Sequence, residues 1–120
     1  MRLAATRRFL SSVVVKSADR AAVESAVLRH CEVLRSEHPE IRRIIWFGSW
    51  VGGIPTPGSD VDLCIILSES NRSFRDRLPL YLPGAFPVGI DLFPYTEAEF
   101  ARLAEERPSW YSEIAKGRDT

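Results

Sequence analysis

The sequence predicts a small α/β domain of the α+β kind, in which helices flank a short mixed β-sheet of three or more strands. The first observation is composition: the 120 residues are 45% hydrophobic and 27% charged, which is typical of one globular domain. The second is a set of short apolar runs rich in β-branched residues, each bounded by glycine, proline or serine. The third is that stretches with helical spacing alternate with those runs. We therefore expect residues 1–120 to form a single domain.

The first predicted helix runs from Ala18 to about Glu37, with Ser17 as its N-cap. The pair His38-Pro39 ends it, because proline disfavours the helical conformation of the residue before it. Its apolar residues recur at three- and four-residue intervals, as expected for one buried face. These residues are Val23, Val27, Cys31 and Leu34.

Three strands follow in the prediction. The first is Ile41–Phe47, which stops at the following glycine. The second, Val61–Leu67, is apolar throughout except for Asp62, which is typical of a central strand covered on both faces. The third is Gly89–Phe93, which we expect Pro94 to end.

Three shorter helices complete the prediction. One covers Phe74–Tyr81, after a polar turn. Thr96-Glu97-Ala98-Glu99 is a capping-box pattern, and it opens a helix that runs to about Glu106. The last helix, Ser109–Lys116, stops at Gly117.

Residues 1–16 are expected to form an N-terminal arm or, over Phe9–Val15, an edge strand. No acidic residue occurs between Met1 and Ala18, so a cleaved targeting peptide is the alternative. Arg7 and Arg8 interrupt the apolar stretch that a secretory signal would need. We therefore favour the arm or edge strand.

The charge balance and the cysteines exclude several classes of protein. With 16 basic and 16 acidic side chains, the overall charge does not favour nucleic-acid binding. No apolar run approaches the roughly 20 residues of a membrane-spanning helix, so no membrane partner is expected. Cys31 and Cys64 lie in apolar patterns and are interpreted as buried free thiols. A cytoplasmic location follows from these interpretations.

A glycine turn follows the first predicted strand. Gly48 lacks the Cβ that would keep a phosphate away from main-chain N–H groups, and Ser49 adds a hydroxyl donor. If a short helix begins there, its N-terminus contributes partial positive charge. This turn therefore suits the phosphates of a nucleoside triphosphate.

Three aspartates are candidates for a metal site. Asp60 and Asp62 are two residues apart, so on a strand their side chains leave the same face. Asp91 would join them if the third predicted strand lies beside Val61–Leu67 with matching pleat. Such carboxylates repel one another unless a cation lies between them, and Mg²⁺ binds one or two carboxylates together with substrate phosphates. We predict a Mg²⁺ site, with two ions possible as in two-metal phosphoryl chemistry.

These motifs resemble those of the nucleotidyltransferase superfamily that includes DNA polymerase beta, and within it the minimal nucleotidyltransferases of bacteria and archaea. The resemblance extends over roughly residues 41–95. The matching segments are Phe47-Gly48-Ser49, Gly53, Ser59-Asp60-Val61-Asp62-Leu63 and Ile90-Asp91-Leu92.

The resemblance implies a nucleotidyltransferase fold over residues 1–120 and a reaction that transfers AMP from ATP, or a similar group from another nucleoside triphosphate, to a hydroxyl. It implies that Gly48 and Ser49 hold the triphosphate. It also implies that Asp60, Asp62 and Asp91 form the catalytic and metal-binding set, with Asp91 able to take the proton of the acceptor. Minimal members often pair with a HEPN-type toxin, and some silence that partner by adenylylating a tyrosine.

One position departs from the family pattern, because Gly52 stands where many minimal members carry an arginine. The residues that could supply that positive charge instead are Arg42, Arg43, Arg72 and Arg75. Because of this departure, an alternative function stays open: an antitoxin that acts by binding its partner and has weak catalytic activity or none. A sugar-nucleotide transferase that uses Asp-x-Asp for Mn²⁺ is a third interpretation, which is disfavoured because such enzymes have a larger nucleotide-binding domain.

A single domain of this size offers no second domain to close over the nucleotide. We therefore expect a HEPN-type partner or self-association to supply the missing wall. Trp50, beside the glycine turn, is a candidate contact because tryptophan is frequent at the energetic centres of interfaces, although such an aromatic residue is more often part of the core or a groove.

Overall fold

The computed structural model describes residues 12–56 and 58–120, with the side chains of residues 20–56 and 58–120. No helix in this part of the chain is both long and apolar enough to cross a membrane. The elements, in chain order, are α1 (Ser12–Glu37), β1 (Ile41–Phe47), α2 (Ser49–Gly52), β2 (Val61–Leu67), α3 (Phe74–Tyr81), β3 (Ile90–Thr96), α4 (Glu97–Glu106), α5 (Pro108–Ala115) and β4 (Arg118–Asp119).

The strands form one mixed sheet in the order β3-β2-β1-β4. β1 is antiparallel to both of its neighbours, β2 and β4, whereas β2 and β3 are parallel. β2 is therefore an inner strand, as its apolar sequence predicted. The predicted fold class, a short mixed sheet flanked by helices, is confirmed. β4 has two residues, too few for a periodic pattern, and is absent from the predicted elements.

Helices cover both faces of the sheet. Successive residues of a strand point to opposite sides, so each strand contributes side chains to a core on each face. One core joins β1 and β2 to α1, and its buried residues include Val23, Val27, Cys31, Leu34, Ile44, Trp46, Val61, Leu63 and Ile65. The other core joins the sheet to α4 and α5, and it contains Ile45, Phe47, Cys64, Ile66, Phe100, Leu103 and Ile114. The arrangement is thus three-layered.

The first helix begins earlier than predicted. α1 starts at Ser12, so Ser17 lies inside the helix and is not its N-cap. The edge strand proposed for Phe9–Val15 is wrong over residues 12–15, and residues 9–11 lie outside the described part of the chain. The β preference of a short valine run is weak and depends on context, and here the adjoining helix extends through it.

The third strand continues through Pro94 to Thr96, beyond its predicted end. β3 is an edge strand, and the Pro94 carbonyl accepts a hydrogen bond from Arg77 of α3 at 2.8 Å rather than from β2. The nitrogen of a residue in a strand faces the same way as its carbonyl, so the missing N–H of proline removes no bond to β2.

The other boundaries agree closely with the prediction. Thr96 Oγ1 accepts from the Glu99 N–H at 3.1 Å, and Glu99 Oε1 accepts from the Thr96 N–H at 2.9 Å, so the capping box is present. α5 opens on Pro108, a position that tolerates proline because its N–H would have no partner within the helix.

The structure also decides the interpretations of the two cysteines and of Trp50, and it shows the environment of His30. Cys31 and Cys64 are buried free thiols, as predicted. His30 is buried and its Nε2 lies 2.8 Å from the Tyr81 carbonyl oxygen, which is a packing role. Trp50 is 7% exposed, and its indole N–H donates to the Ser59 carbonyl at 2.9 Å. Trp50 is therefore part of the core, as the favoured interpretation predicts, and is not an exposed contact in the domain as folded.

Candidate functional site

The glycine turn joins β1 to α2. Gly48 has φ +89°, a region that side chains with a Cβ rarely adopt, and it is the N-cap of α2. Its carbonyl accepts from the Val51 N–H at 3.1 Å and from the Gly52 N–H at 3.0 Å. The condition stated for the turn, that a short helix begins at Ser49, is therefore met.

Gly48 also allows an aspartate to approach the turn. A Cβ at Gly48 would lie 3.1 Å from Cγ of Asp62 and closer still to its Oδ2. The register explains this contact, because Asp62 pairs with Phe47, the residue just before Gly48. The sheet therefore places the carboxyl group of Asp62 directly against the backbone of the turn.

The other two predicted aspartates lie beside Asp62. β2 and β3 are parallel with Asp62 opposite Asp91, so both side chains project from the same face. Asp60 precedes β2 and packs against the residue before β3, since a Cβ at Gly89 would be 2.9 Å from Cγ of Asp60. The conditional expectation that Asp91 joins the acidic face is met by this register.

The electrostatics confirm that the acids influence one another. Asp62 is half-buried, and its pKa is raised to about 6. Burial is the main cause of this rise, and repulsion from Asp91, Asp60 and Glu113 contributes the rest. Asp60 and Asp91 are exposed to solvent. A proton or a cation near Asp62 is therefore stabilised by this arrangement.

A cavity of about 440 Å³ adjoins the turn. One wall is the glycine turn and α2, and the other is the end of α5. Its lining residues are Gly48, Ser49, Val51, Gly52, Gly53, Glu113, Lys116 and Gly117. Gly48 and Ser49 thus line the cavity, and none of the three aspartates does; Asp62 adjoins it through its contact with Gly48.

A family model described as "Nucleotidyltransferase domain" matches residues 28–114, which is more than half of the chain. The chain belongs to the nucleotidyltransferase domain family. The match agrees with the resemblance to the minimal nucleotidyltransferases, and it contains the glycine turn and all three aspartates.

A solved structure supports the nucleotidyltransferase fold. A candidate nucleotidyltransferase from Sulfolobus solfataricus superimposes with a TM-score of 0.58 at 19% identity, over 71% of this chain and 77% of that one. At this identity the likeness concerns the fold. A comparison with curated proteins found no match.

The carboxylates of this domain fit a Mg²⁺ ion that takes only part of its coordination shell from the protein. Carboxylate oxygens are the ligands Mg²⁺ prefers. Among the residues the structure describes, no three acidic, histidine or cysteine side chains gather around a common point. The residues therefore fit an ion that binds one or two carboxylates and completes its shell with phosphate and water, not an ion caged by protein alone.

The sequence interpretation missed the second wall of the cavity. Glu113 and Lys116 reach the site because Gly117 packs tightly against β1, where a Cβ would lie 2.6 Å from the Trp46 carbonyl oxygen. The helix stop at Gly117 was visible in the sequence, but its approach to β1 is a long-range contact with no local signal.

The arginines proposed to replace the family's usual basic residue are elsewhere. Among the described residues that line the cavity, none is Arg42, Arg43, Arg72 or Arg75. Arg43 instead donates to Asp119 at 3.2 and 3.3 Å. Lys116 is the basic residue that the structure brings to this cavity.

Proposed function

We propose that this nucleotidyltransferase is a Mg²⁺-dependent enzyme that transfers AMP from ATP to a hydroxyl group. The observation that carries the proposal is the position of Asp62, which contacts Gly48 and lies in register with Asp91. Asp62 thus lies between the glycine turn and a second carboxylate, which supports its proposed role as a ligand of a cation that also binds phosphate.

Each predicted residue has a role that its contacts support. Gly48 and Ser49 bind the triphosphate, Gly48 by leaving the backbone accessible and Ser49 by its hydroxyl, since both line the cavity. Asp60 and Asp62 hold Mg²⁺ from the start of β2. When bound, Mg²⁺ would offset the negative charge of the phosphate oxygens.

The transfer conserves atoms and charge in one displacement. The acceptor oxygen forms a bond to the α-phosphorus, and the bond from that phosphorus to the oxygen that bridges it to the β-phosphate breaks. Pyrophosphate leaves with the electron pair. Asp91 takes the hydroxyl proton, and its exposure on the edge strand β3 leaves it accessible to an acceptor that arrives from solvent.

The acceptor we propose is a tyrosine of a HEPN-type partner protein. Support comes from the resemblance to minimal nucleotidyltransferases and from the openness of the acidic face, where Asp60 and Asp91 are exposed. A bound partner would exclude water from that face, and water exclusion strengthens electrostatic stabilisation of the transition state.

The test is label transfer from ATP labelled in its α-phosphate, with Mg²⁺ and the product of the adjacent gene. We expect label on the partner, and a loss of about 100-fold or more in Asp60→Asn and Asp62→Asn, because each removes a charge that stabilises the transferring group. Asp119→Asn is the matched control, since Asp119 is an exposed carboxylate paired with Arg43.

Two outcomes would contradict the proposal. A tight complex that forms without label, and that tolerates Asp60→Asn and Asp62→Asn, would show a binding antitoxin instead of an enzyme. Equal label transfer by these variants and by Asp119→Asn would remove the aspartates from the reaction.

A further inference from the structure

The cavity beside the glycine turn has two walls of different character. The wall formed by the turn offers backbone groups and the Ser49 hydroxyl, with no charged side chain among its lining residues. The wall formed by the end of α5 offers two charged side chains, Glu113 and Lys116. Among the residues that line this cavity, the positively charged side chain is therefore on the second wall, at Lys116.

The backbone of Lys116 is held firmly at this wall. Its N–H donates to the Ser112 carbonyl at 3.1 Å, and the next N–H, of Gly117, donates to Ile114 at 2.9 Å. Gly117 then packs against β1, and β4 pairs with β1 through Ile45 and Trp46. The Cα of Lys116 is therefore fixed relative to the strand that ends in the turn.

The ammonium group of Lys116 is available for a ligand. Its nearest acid, Glu113, lies 4.0 Å away, at the limit of an ion pair, and the two side chains are 75% and 53% exposed. Exposed pairs of this kind contribute little stability, so a more highly charged anion competes successfully for the lysine. Without Lys116, the charge of the cavity would be that of Glu113 alone, which repels phosphate.

We propose that Lys116 binds the β- and γ-phosphates of the nucleoside triphosphate and so determines the preference of this site for triphosphates over nucleosides. The inference rests on the proposed function, because it takes the cavity to be the triphosphate site. It assigns the cationic role to the C-terminal segment of the domain instead of to the glycine turn.

The structure also offers a second position for the same charge. A Cβ at Gly52 would meet no heavy atom within 4 Å, and Gly52 lines the same cavity from the opposite wall. An arginine at this position therefore has room to reach the phosphates. Introducing Gly52→Arg into a variant that lacks Lys116 therefore tests whether the cavity needs a positive charge or needs the Lys116 side chain for packing.

The experiment measures ATP and adenosine affinity by calorimetry in the presence of Mg²⁺. We expect Lys116→Met to raise the Kd for ATP about tenfold or more, since it removes one charged contact, while adenosine binding is unchanged. Lys116→Arg should retain most of the affinity, and the double variant Lys116→Met/Gly52→Arg should recover it. Arg102→Met, which removes an exposed cation from α4, is the control and should match the wild type.

The outcomes separate this inference from the proposed function. Wild-type ATP binding that Lys116→Met leaves unchanged would overturn the role of Lys116 and leave the proposed function standing. A Lys116→Met defect that neither Lys116→Arg nor the double variant corrects would show a structural role and would also overturn it. Failure of the wild type to bind ATP would overturn both.

Discussion

Asp62 is a residue whose ionisation the fold opposes. Burial, together with repulsion from Asp91, Asp60 and Glu113, raises its pKa from an ordinary value of 3.8 to about 6. The folded protein therefore holds this proton more tightly than the unfolded chain does. In the absence of a cation, ionised Asp62 destabilises the fold, which is typical of a carboxylate placed for a ligand.

The pH dependence of stability follows from this shift. Between pH 3.8 and about 6 the unfolded chain has lost the Asp62 proton while the folded protein retains it, so stability falls as pH rises. Asp62→Asn removes this dependence. The free energy of unfolding of the variant, relative to wild type, should therefore rise across that window by on the order of 1 kcal/mol, after allowance for solvent screening of a half-exposed group.

Urea unfolding at a series of pH values across the window measures this difference. Asp119→Asn serves as the reference, because Asp119 is exposed and pairs with Arg43. A difference between Asp62→Asn and wild type that stays constant with pH would show that Asp62 is not perturbed.

Among the elements, α3, β3 and α4 are joined by one buried side chain. Arg77 is 3% exposed, and its guanidinium donates to both carboxylate oxygens of Glu99, at 2.7 and 3.1 Å. It also donates to the carbonyls of Pro94 and Arg72, at 2.8 and 3.0 Å. The bond from Arg77 lowers the pKa of Glu99. This network satisfies the Pro94 carbonyl on the outer side of the edge strand, beyond which no further strand pairs in the described sheet.

Replacing Arg77 should separate these elements. Arg77→Met removes the donor to the Pro94 carbonyl and to Oε2 of Glu99, while Glu99 Oε1 keeps the Thr96 N–H. We expect a loss of about 3 kcal/mol in the free energy of unfolding. The loss should shrink as pH falls below the ordinary Glu99 value of 4.5, because stability from a carboxylate with a lowered pKa disappears on protonation. Arg75→Met, an exposed arginine of the same helix, should change stability little. Equal denaturation midpoints for the two variants would contradict the role of Arg77.

At the scale of the whole molecule, the cavity exists because the C-terminal segment returns to the sheet. α5 ends at Ala115, Gly117 packs on β1, and β4 adds a short strand at the edge of β1. The two walls of the cavity are thus about 60 residues apart in sequence, between Gly53 and Glu113. The integrity of this return should therefore control nucleotide affinity.

Gly117→Ala tests that dependence. The new Cβ would lie 2.6 Å from the Trp46 carbonyl oxygen and 2.7 Å from side-chain atoms of Ile45 and Phe47, so the segment must move away from β1. We expect destabilisation of roughly 1–3 kcal/mol, as for overpacked sites, together with weaker ATP binding. Gly84→Ala is the control, since a Cβ there meets nothing within 4 Å. Unchanged melting temperature and affinity in Gly117→Ala would show that the return does not shape the cavity.

Much of the fold and part of the site could be predicted because they depend on local patterns. Short apolar runs indicated β1 and β2, helical spacing indicated α1, and the capping box placed the start of α4 at Thr96. The glycine turn and the spacing of Asp60 and Asp62 predicted a phosphate and metal site, which stays a prediction. The start of α1 and the continuation of β3 through Pro94 were mispredicted, because local preferences are overridden by the adjoining helix and by the outer position of β3.

The sequence alone thus determined which residue types could bind phosphate and a divalent cation, because these features lie within a few residues of one another. The tertiary structure decided what the sequence could state only conditionally or not at all. It placed Asp91 opposite Asp62 and buried Trp50 in the core. It also brought Lys116 to the cavity that the glycine turn lines. These are contacts between distant segments, and they depend on strand order and side-chain packing that no local pattern specifies.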